Sequence, residues 1–360
     1  MKTNAPGGRI RALDWHRGLA VLVMIECHCL VYLSPSLDSH PLRQWLNRLN
    51  GLVAPSFIFA AGFSLALVMG RAALEPAGRG KRAVKSLIRI AEVFAVALLM
   101  ASSKWPLFRE PAWLLRVDIL ACIAYSLLIL WIFVTALAGR TLVVAGAMLG
   151  CAALVFGASP WTETLRGGGA IHLLNGSTGS PFPLVPWAGY GFLGACLGSV
   201  AAVPEKGIRL ARWGFAGMFV AGLALANAAP LFDRLYGSPA WILTNSGERI
   251  WKVAAIALVL LGLEALGQAR GWTMKNPATW TLEFYGTSSL SAYAFHLFML
   301  YGRVKGFSLS ARFHGALDWP GFWLATLLII AATGVVCRAW DVVDRRLPWK
   351  RRSQKSGAKS

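Results

Sequence analysis

Acidic side chains are scarce in this chain. Asp and Glu number 16 against 36 Lys and Arg, and charged residues of both signs make up only 14% of 360 positions. Soluble domains carry about 25% charged residues, so this composition argues against one. Zinc-type spacing is also missing. The 6 cysteines are Cys27, Cys29, Cys122, Cys151, Cys196 and Cys337, none in a C-x-x-C pair and none in a Cys/His grouping at zinc spacing. Each lies in or at the edge of an apolar run, where a small buried side chain is the plain reading. No metal is expected. No segment repeats, and no pair of matched interrupted helices stands out, which argues against the usual transporter plans. Gly167 to Gly169 form no phosphate loop, because no Lys follows and no strand precedes them. No small-residue cleavage site follows the first apolar run, so that run reads as a retained span and not as a signal peptide.

What the chain has instead is apolar length. Hydrophobic residues make up 56% of it and the mean hydropathy is +0.54. A bilayer-spanning helix needs about 20 apolar residues. The runs place about ten spans, at roughly 17–34, 51–70, 86–103, 114–137, 141–157, 183–203, 211–230, 250–268, 283–302 and 320–340. The expected fold is therefore all-α: a polytopic transmembrane helix bundle. It is read as one integral membrane domain over residues 1–345, followed by a basic, disordered tail over 346–360.

The net charge of +20 and pI near 10.4 would suggest nucleic acid in a soluble protein. Here the basic residues fall between spans, where they set orientation. With the N-terminus inside, about two-thirds of Lys and Arg fall on the inner side. Both termini are then cytoplasmic, and nucleic acid is not an expected partner. The strongest inner segment is the loop 71–89, which includes Arg82 and Arg89. Its plain roles are orientation and attraction to anionic lipid. It also suits a phosphorylated cosubstrate.

The stretch from Arg11 to Tyr32 places Glu26 and His28 inside an apolar helix. Ionisable groups at membrane depth are costly and face a cavity or a partner. Arg17 and His28 share one helix face, about 16 Å apart along the axis. Asp14 and Arg17 stand at the inner mouth, and His28 lies in the outer half. His296 has a similar height in the ninth span, so the two imidazoles are expected to meet across the bundle, or each to bond a neighbouring helix. Tyr285, Ser289, Tyr293 and His296 make one helical stripe. Asp118, with Arg116 beside it, either orients a histidine or acceptor, or pairs with an arginine. His40, His172 and His314 fall in outer loops. Pro181, Pro183 and Pro186 start the sixth span irregularly, with Trp187 following. An inner set suited to phosphates and an outer set suited to general-base chemistry fit transfer of a group across the membrane. The same lined path without covalent chemistry would serve a transporter or flippase for a glycolipid or small polar solute.

Several blocks resemble one family. R-x-L-D-x-x-R-G-x-A…M-x-x-x-H at Arg11–His28 and APSFIFAAGFSLAL at 54–67 are similar to the first two spans of heparan-α-glucosaminide N-acetyltransferase-like membrane proteins. RVDIL at 116–120, FPLVPWAGYGFLGACLG at 182–198 and SLSAYAFHLFML at 289–300 resemble later blocks in the same order. The Arg17-to-His28 spacing is also similar to that of type 3 membrane acyltransferases. The resemblance implies transfer of an acetyl or other acyl group from cytoplasmic acyl-CoA (acetyl-CoA) to a sugar amine or hydroxyl outside. It implies an essential histidine near the outer end of the first span, for which His28 and His40 are the two matching positions. A carboxylate that the glucosaminide enzymes carry before the second-span proline has no counterpart, since Gly51 and Leu52 stand there. The expected catalytic set is His28, His40, His296 and Asp118, and the expected acyl-CoA-binding set is Asp14, Arg17, Arg82 and Arg89. The expected partners are the lipid bilayer, a glycan or glycolipid acceptor and a second copy in a homodimer. The expected location is the bacterial inner membrane.

Overall fold

The structure, a computed structural model, describes residues 10–74, 76–104, 116–176, 179–237, 240–270, 276–302 and 307–346. The expected disordered tail lies outside the described residues from 347 onward. Among the described residues the chain forms helices α1 (Arg11–Cys29), α2 (Pro41–Asn50), α3 (Val53–Ala72), α4 (Pro76–Lys104), α5 (Ile119–Ala136), α6 (Thr141–Thr162), α7 (Ile171–Leu174) and α8 (Leu184–Ala201). They continue as α9 (Gly207–Asn227), α10 (Ala229–Tyr236), α11 (Ala240–Arg270), α12 (Pro277–Thr287), α13 (Ser289–Tyr301), α14 (Leu309–Phe313) and α15 (Trp319–Arg346). The fold is an all-α polytopic bundle. Among the described residues seven helical stretches are long and apolar enough to cross a bilayer: Pro41–Ala72, Ile119–Ala136, Thr141–Thr162, Leu184–Ala201, Gly207–Asn227, Trp251–Ala269 and Trp319–Asp344. Leu142, Leu154, Val220 and Leu327 stand exposed on these helices, an apolar surface that suits lipid and not water.

Two compact units divide the chain: Met1–His16 with Gly51–Thr273, and Arg17–Asn50 with Met274–Ser360. The larger unit is built on α3 and α8. Gly191, Gly194 and Gly198 form a stripe on α8, and Gly62 answers from α3. A Cβ on Gly194 would run into the Phe59 carbonyl, and one on Gly198 into the Phe63 carbonyl. Hydrogen in place of a side chain is thus what lets the two backbones touch, the usual route to helix association in lipid. Around this pair, Met69 of α3, Leu130 of α5, Met148 of α6 and Phe192 of α8 close one apolar core. Gly139, at φ +86°, turns the chain between α5 and α6, where the sequence has only Gly139 and Arg140 as a break.

The basic segment expected as a loop at 71–89 is helical instead. After a turn at Ala73 and Leu74, α4 runs from Pro76. Pro fits the first turn of a helix, where its missing N–H costs nothing. Packing against α5 then holds Gly78 and Gly80 in the helix: Arg79 donates to the Thr135 carbonyl at 3.2 Å, and Trp131 Nε1 donates to the Ala83 carbonyl at 3.0 Å.

The helices α9 and α11 are joined by an ion pair. Arg212 Nε donates to Glu264 Oε1 at 2.5 Å, and Gln268 Nε2 donates to the same oxygen at 2.9 Å. Glu264 is buried, so removing Arg212 would leave a buried carboxylate without its counter-charge, held by Gln268. We expect Arg212→Ala to cost about 2 kcal/mol, and Arg212→Met with Glu264→Leu to restore most of it. Thermal unfolding in detergent checks this; equal melting of the single and double variants would refute it.

The smaller unit holds the second half of α1, with α2 and α12–α15. Gly18 lets α1 lie directly on α12, because a Cβ there would clash with the Leu282 carbonyl. Beyond α1 the chain is zipped to the 315–317 turn. Gly315 N donates to the Val31 carbonyl at 3.0 Å, Leu317 N to Tyr32 at 2.8 Å and Ser34 N to Leu317 at 2.8 Å. The ninth expected span is not one helix. It breaks at Ser288, which ends α12 and begins α13 with φ −101° and ψ 20°. The reason is local: Gly286, Thr287, Ser288 and Ser289 are weak helix formers, and Thr287 Oγ1 donates back to the Phe284 carbonyl at 2.9 Å.

Candidate active site

The smaller unit brings two of the expected site residues into contact. His28 is the penultimate residue of α1, and His296 lies in the middle of α13. Their ring centroids are 5.2 Å apart, tilted by 46°. Tyr301, the last residue of α13, closes on His28 from another side: its ring centroid is 5.8 Å away, and its hydroxyl is 3.3 Å from His28 Nδ1. The tyrosine hydroxyl also donates to the His28 carbonyl at 3.4 Å.

The two imidazoles differ in environment. His296 is fully buried. Its Nδ1 is 2.8 Å from the Ala292 carbonyl. A carbonyl can only accept, so Nδ1 carries the hydrogen and Nε2 carries a lone pair. That Nε2 is buried, with no hydrogen-bond partner among the described residues. The Tyr293 ring meets His296 edge-on, with centroids 5.8 Å apart. His28 is only partly buried, so of the two it is the ring a substrate can reach. A fixed imidazole behind an accessible one is an arrangement suited to accepting and holding a proton.

Glu26 is buried two residues before His28 on α1, and Asn50 at the end of α2 is its side-chain neighbour. Further out, Tyr32 and Phe313 pack edge-on with centroids 6.3 Å apart. This carboxylate, the two imidazoles and two phenols give the smaller unit a polar interior rare inside a membrane helix cluster.

The remaining candidates sit elsewhere. His40 is exposed, and its Nδ1 accepts from Leu42 N at 3.2 Å at the start of α2. Its ring lies 5.2 Å from that of Trp319. Asp118 is in the larger unit, where Oδ1 accepts from Ala121 N at 2.7 Å and caps α5. Asp14 is buried in the first turn of α1, and Arg17 is half-buried one turn further. Arg82 and Arg89 are exposed on α4, with Arg89 3.9 Å from Glu92. Tyr285 leaves the expected stripe: the break at Ser288 sends its hydroxyl to the Ile330 carbonyl on α15.

Sequence reasoning missed Tyr301. It stands five residues after His296, about 140° round the helix from it, so no periodicity links the two. They converge only because the His28 ring reaches both. Among the described residues no three His, Cys, Asp or Glu side chains gather as a metal-holding group.

A family model described as heparan-alpha-glucosaminide N-acetyltransferase, catalytic, matches residues 9–232. No curated protein matches the chain. The matched segment runs from the start of α1 into α10. It contains His28, His40, Asp14, Arg17, Arg82, Arg89 and Asp118, and stops short of α13 with His296 and Tyr301. With more than half of its length matched and an all-α membrane fold, the chain belongs to the family of the heparan-alpha-glucosaminide N-acetyltransferase catalytic domain.

Proposed function

We propose that this protein transfers an acetyl or other acyl group from acyl-CoA on the cytoplasmic side to a sugar amine or hydroxyl on the outer side, with His28 as general base. The contact of His28 with His296 and Tyr301 carries this reading, because it sets a reachable imidazole against a fixed one within an apolar helix cluster. In the reaction the proton of the acceptor amine or hydroxyl goes to His28. The acceptor nitrogen or oxygen forms a bond to the acyl carbonyl carbon. The thioester C–S bond breaks, and the proton held by His28 passes, directly or through solvent, to the departing CoA thiolate, which returns the imidazole to its free-base form. His296 orients His28 through ring contact, and Tyr301 steadies it through the hydroxyl. His40, exposed at the start of α2, is the rival position for the base.

Arg17 near the start of α1 and, separately, Arg82 and Arg89 on α4 carry the guanidinium groups that suit the phosphates of the donor. Guanidinium groups bind such oxygens in pairs, and exposed positions on α4 leave them accessible.

The direct test uses membranes containing the protein, radiolabelled acetyl-CoA, and a panel of hexosamines and glycolipids. Labelled acceptor that depends on the protein is the expected result. Absence of both label and CoA binding would count against acyl transfer and favour passage of a solute or lipid through the same helices.

A further inference from the structure

In the smaller unit a furrow runs between α12 and α15. It holds about 570 Å³ and is open along its side, within the roughly 300–1,000 Å³ of ordinary ligand sites. Trp280 and Phe284 form its α12 wall, and Ala331, Val335, Arg338 and Val342 lie on its α15 wall. Small residues on α15 leave the space: Gly334 faces the Tyr285 hydroxyl, so the helices meet there without filling the volume beside it. None of these residues belongs to the His28 cluster.

The walls are mostly apolar, with Thr281, Tyr285 and one cation as the polar side chains. Arg338 is the one charged residue lining the furrow. Its guanidinium carbon lies 5.6 Å from the Trp280 ring centroid, a cation–π distance. The side chain is exposed, and no ion pair with a carboxylate is present among the described residues. From Arg338 the furrow continues along α15 to Ile330, about 12 Å at 1.5 Å per residue. In the other direction α15 leads into the most basic part of the sequence, Arg345, Arg346, Lys350, Arg351 and Arg352. Such an end belongs on the cytoplasmic side, and a Trp at that level belongs to the headgroup belt. The furrow therefore has a cationic, aromatic end at headgroup depth and an apolar length pointing toward the bilayer centre.

We propose that this furrow binds an anionic phospholipid of the inner leaflet, with its phosphate on Arg338 and one acyl chain laid along Val335, Ala331 and Phe284. The open side allows entry from the bilayer, which a water-soluble ligand would not use. A single cation at one end selects for a negative headgroup, and the apolar walls accept a chain without demanding its length.

The test uses the full-length protein, released from mixed phosphatidylcholine and phosphatidylglycerol nanodiscs, with retained lipid read by native mass spectrometry. Thermal unfolding is followed in parallel. Wild-type protein should retain phosphatidylglycerol over phosphatidylcholine. Arg338→Gln should lower that ratio about fivefold. Arg209→Gln removes one charge from an exposed position on α9 of the other unit and should leave the ratio unchanged. Val335→Trp should fill the furrow and reduce retention of both lipids. If Arg338→Gln and Arg209→Gln behave alike, or if wild type retains the two lipids equally, the site is not there. The readout does not involve acyl transfer, so failure of this proposal and failure of the catalytic reading are separately visible.

Discussion

Replacing His28 with Ala is expected to lower acyl transfer by about 10²–10⁴-fold, the usual contribution of a positioned general base, while the protein still inserts and folds. The side chain is only partly buried and sits at the last turn of α1, so its loss leaves no large cavity. What it removes is the imidazole between Tyr301 and His296. The loss should appear in kcat, because the imidazole is not assigned to donor binding, and the KM for acyl-CoA should stay near wild type. Steady-state transfer by purified His28→Ala, His40→Ala and wild-type protein in the same lipid is the measurement. Wild-type turnover in His28→Ala would sink the assignment, and loss confined to His40→Ala would move the base to the start of α2. The two histidines are not equivalent in the fold. His40 already accepts the Leu42 N–H and is exposed beside Trp319, whereas His28 is partly buried against His296 and Tyr301.

The second large effect is structural. Gly194→Val should destabilise the protein by about 3 kcal/mol, at the upper end for overpacking a filled interface, and lower its yield in membranes. The new Cβ would overlap the Phe59 carbonyl of α3. A backbone oxygen cannot swing aside as a side chain can, so the helices must separate. Separation would also loosen Gly191 and Gly198 on the same stripe. Gly150→Val on α6 is the matched control, since nothing lies within 4 Å of a Cβ there. Melting of both variants in one detergent decides the matter: a Gly194→Val curve that overlays the Gly150→Val curve would show that α3 and α8 do not depend on contact between bare backbones.

Much of this was readable from one dimension. Hydropathy alone marks the apolar helices, because the bilayer requirement acts on each segment separately. Glu26 and His28 stood out for the same reason: a polar atom in an apolar run must have a partner. The matched heights of His28 and His296 in two spans left two outcomes open, contact between the rings or separate bonds to neighbouring helices, and the rings are found 5.2 Å apart. The resemblance of the first two blocks pointed to the family that residues 9–232 match. Other features were visible as composition but not as structure. The basic stretch after α3 reads as a loop from its Gly, Pro and charges, and becomes helix because Arg79 and Ala83 bond to α5. The glycines of α8 announce a close approach without naming the helix approached.

From the sequence, Arg17 and His28 are two groups on one face of a helix, and that is a consequence of helical periodicity alone. The identity of the groups around His28 is not periodic information. Tyr301 reaches it from a different angle than His296, and the break at Ser288 removes Tyr285 from the stripe it was expected to share. Length, polarity and the family are properties of residues and their neighbours in sequence, so the chain itself determines them. Which imidazole is buried, which is reachable, and which hydroxyl meets it depend on side-chain shape and helix contact across hundreds of residues, and only the packed structure decides those.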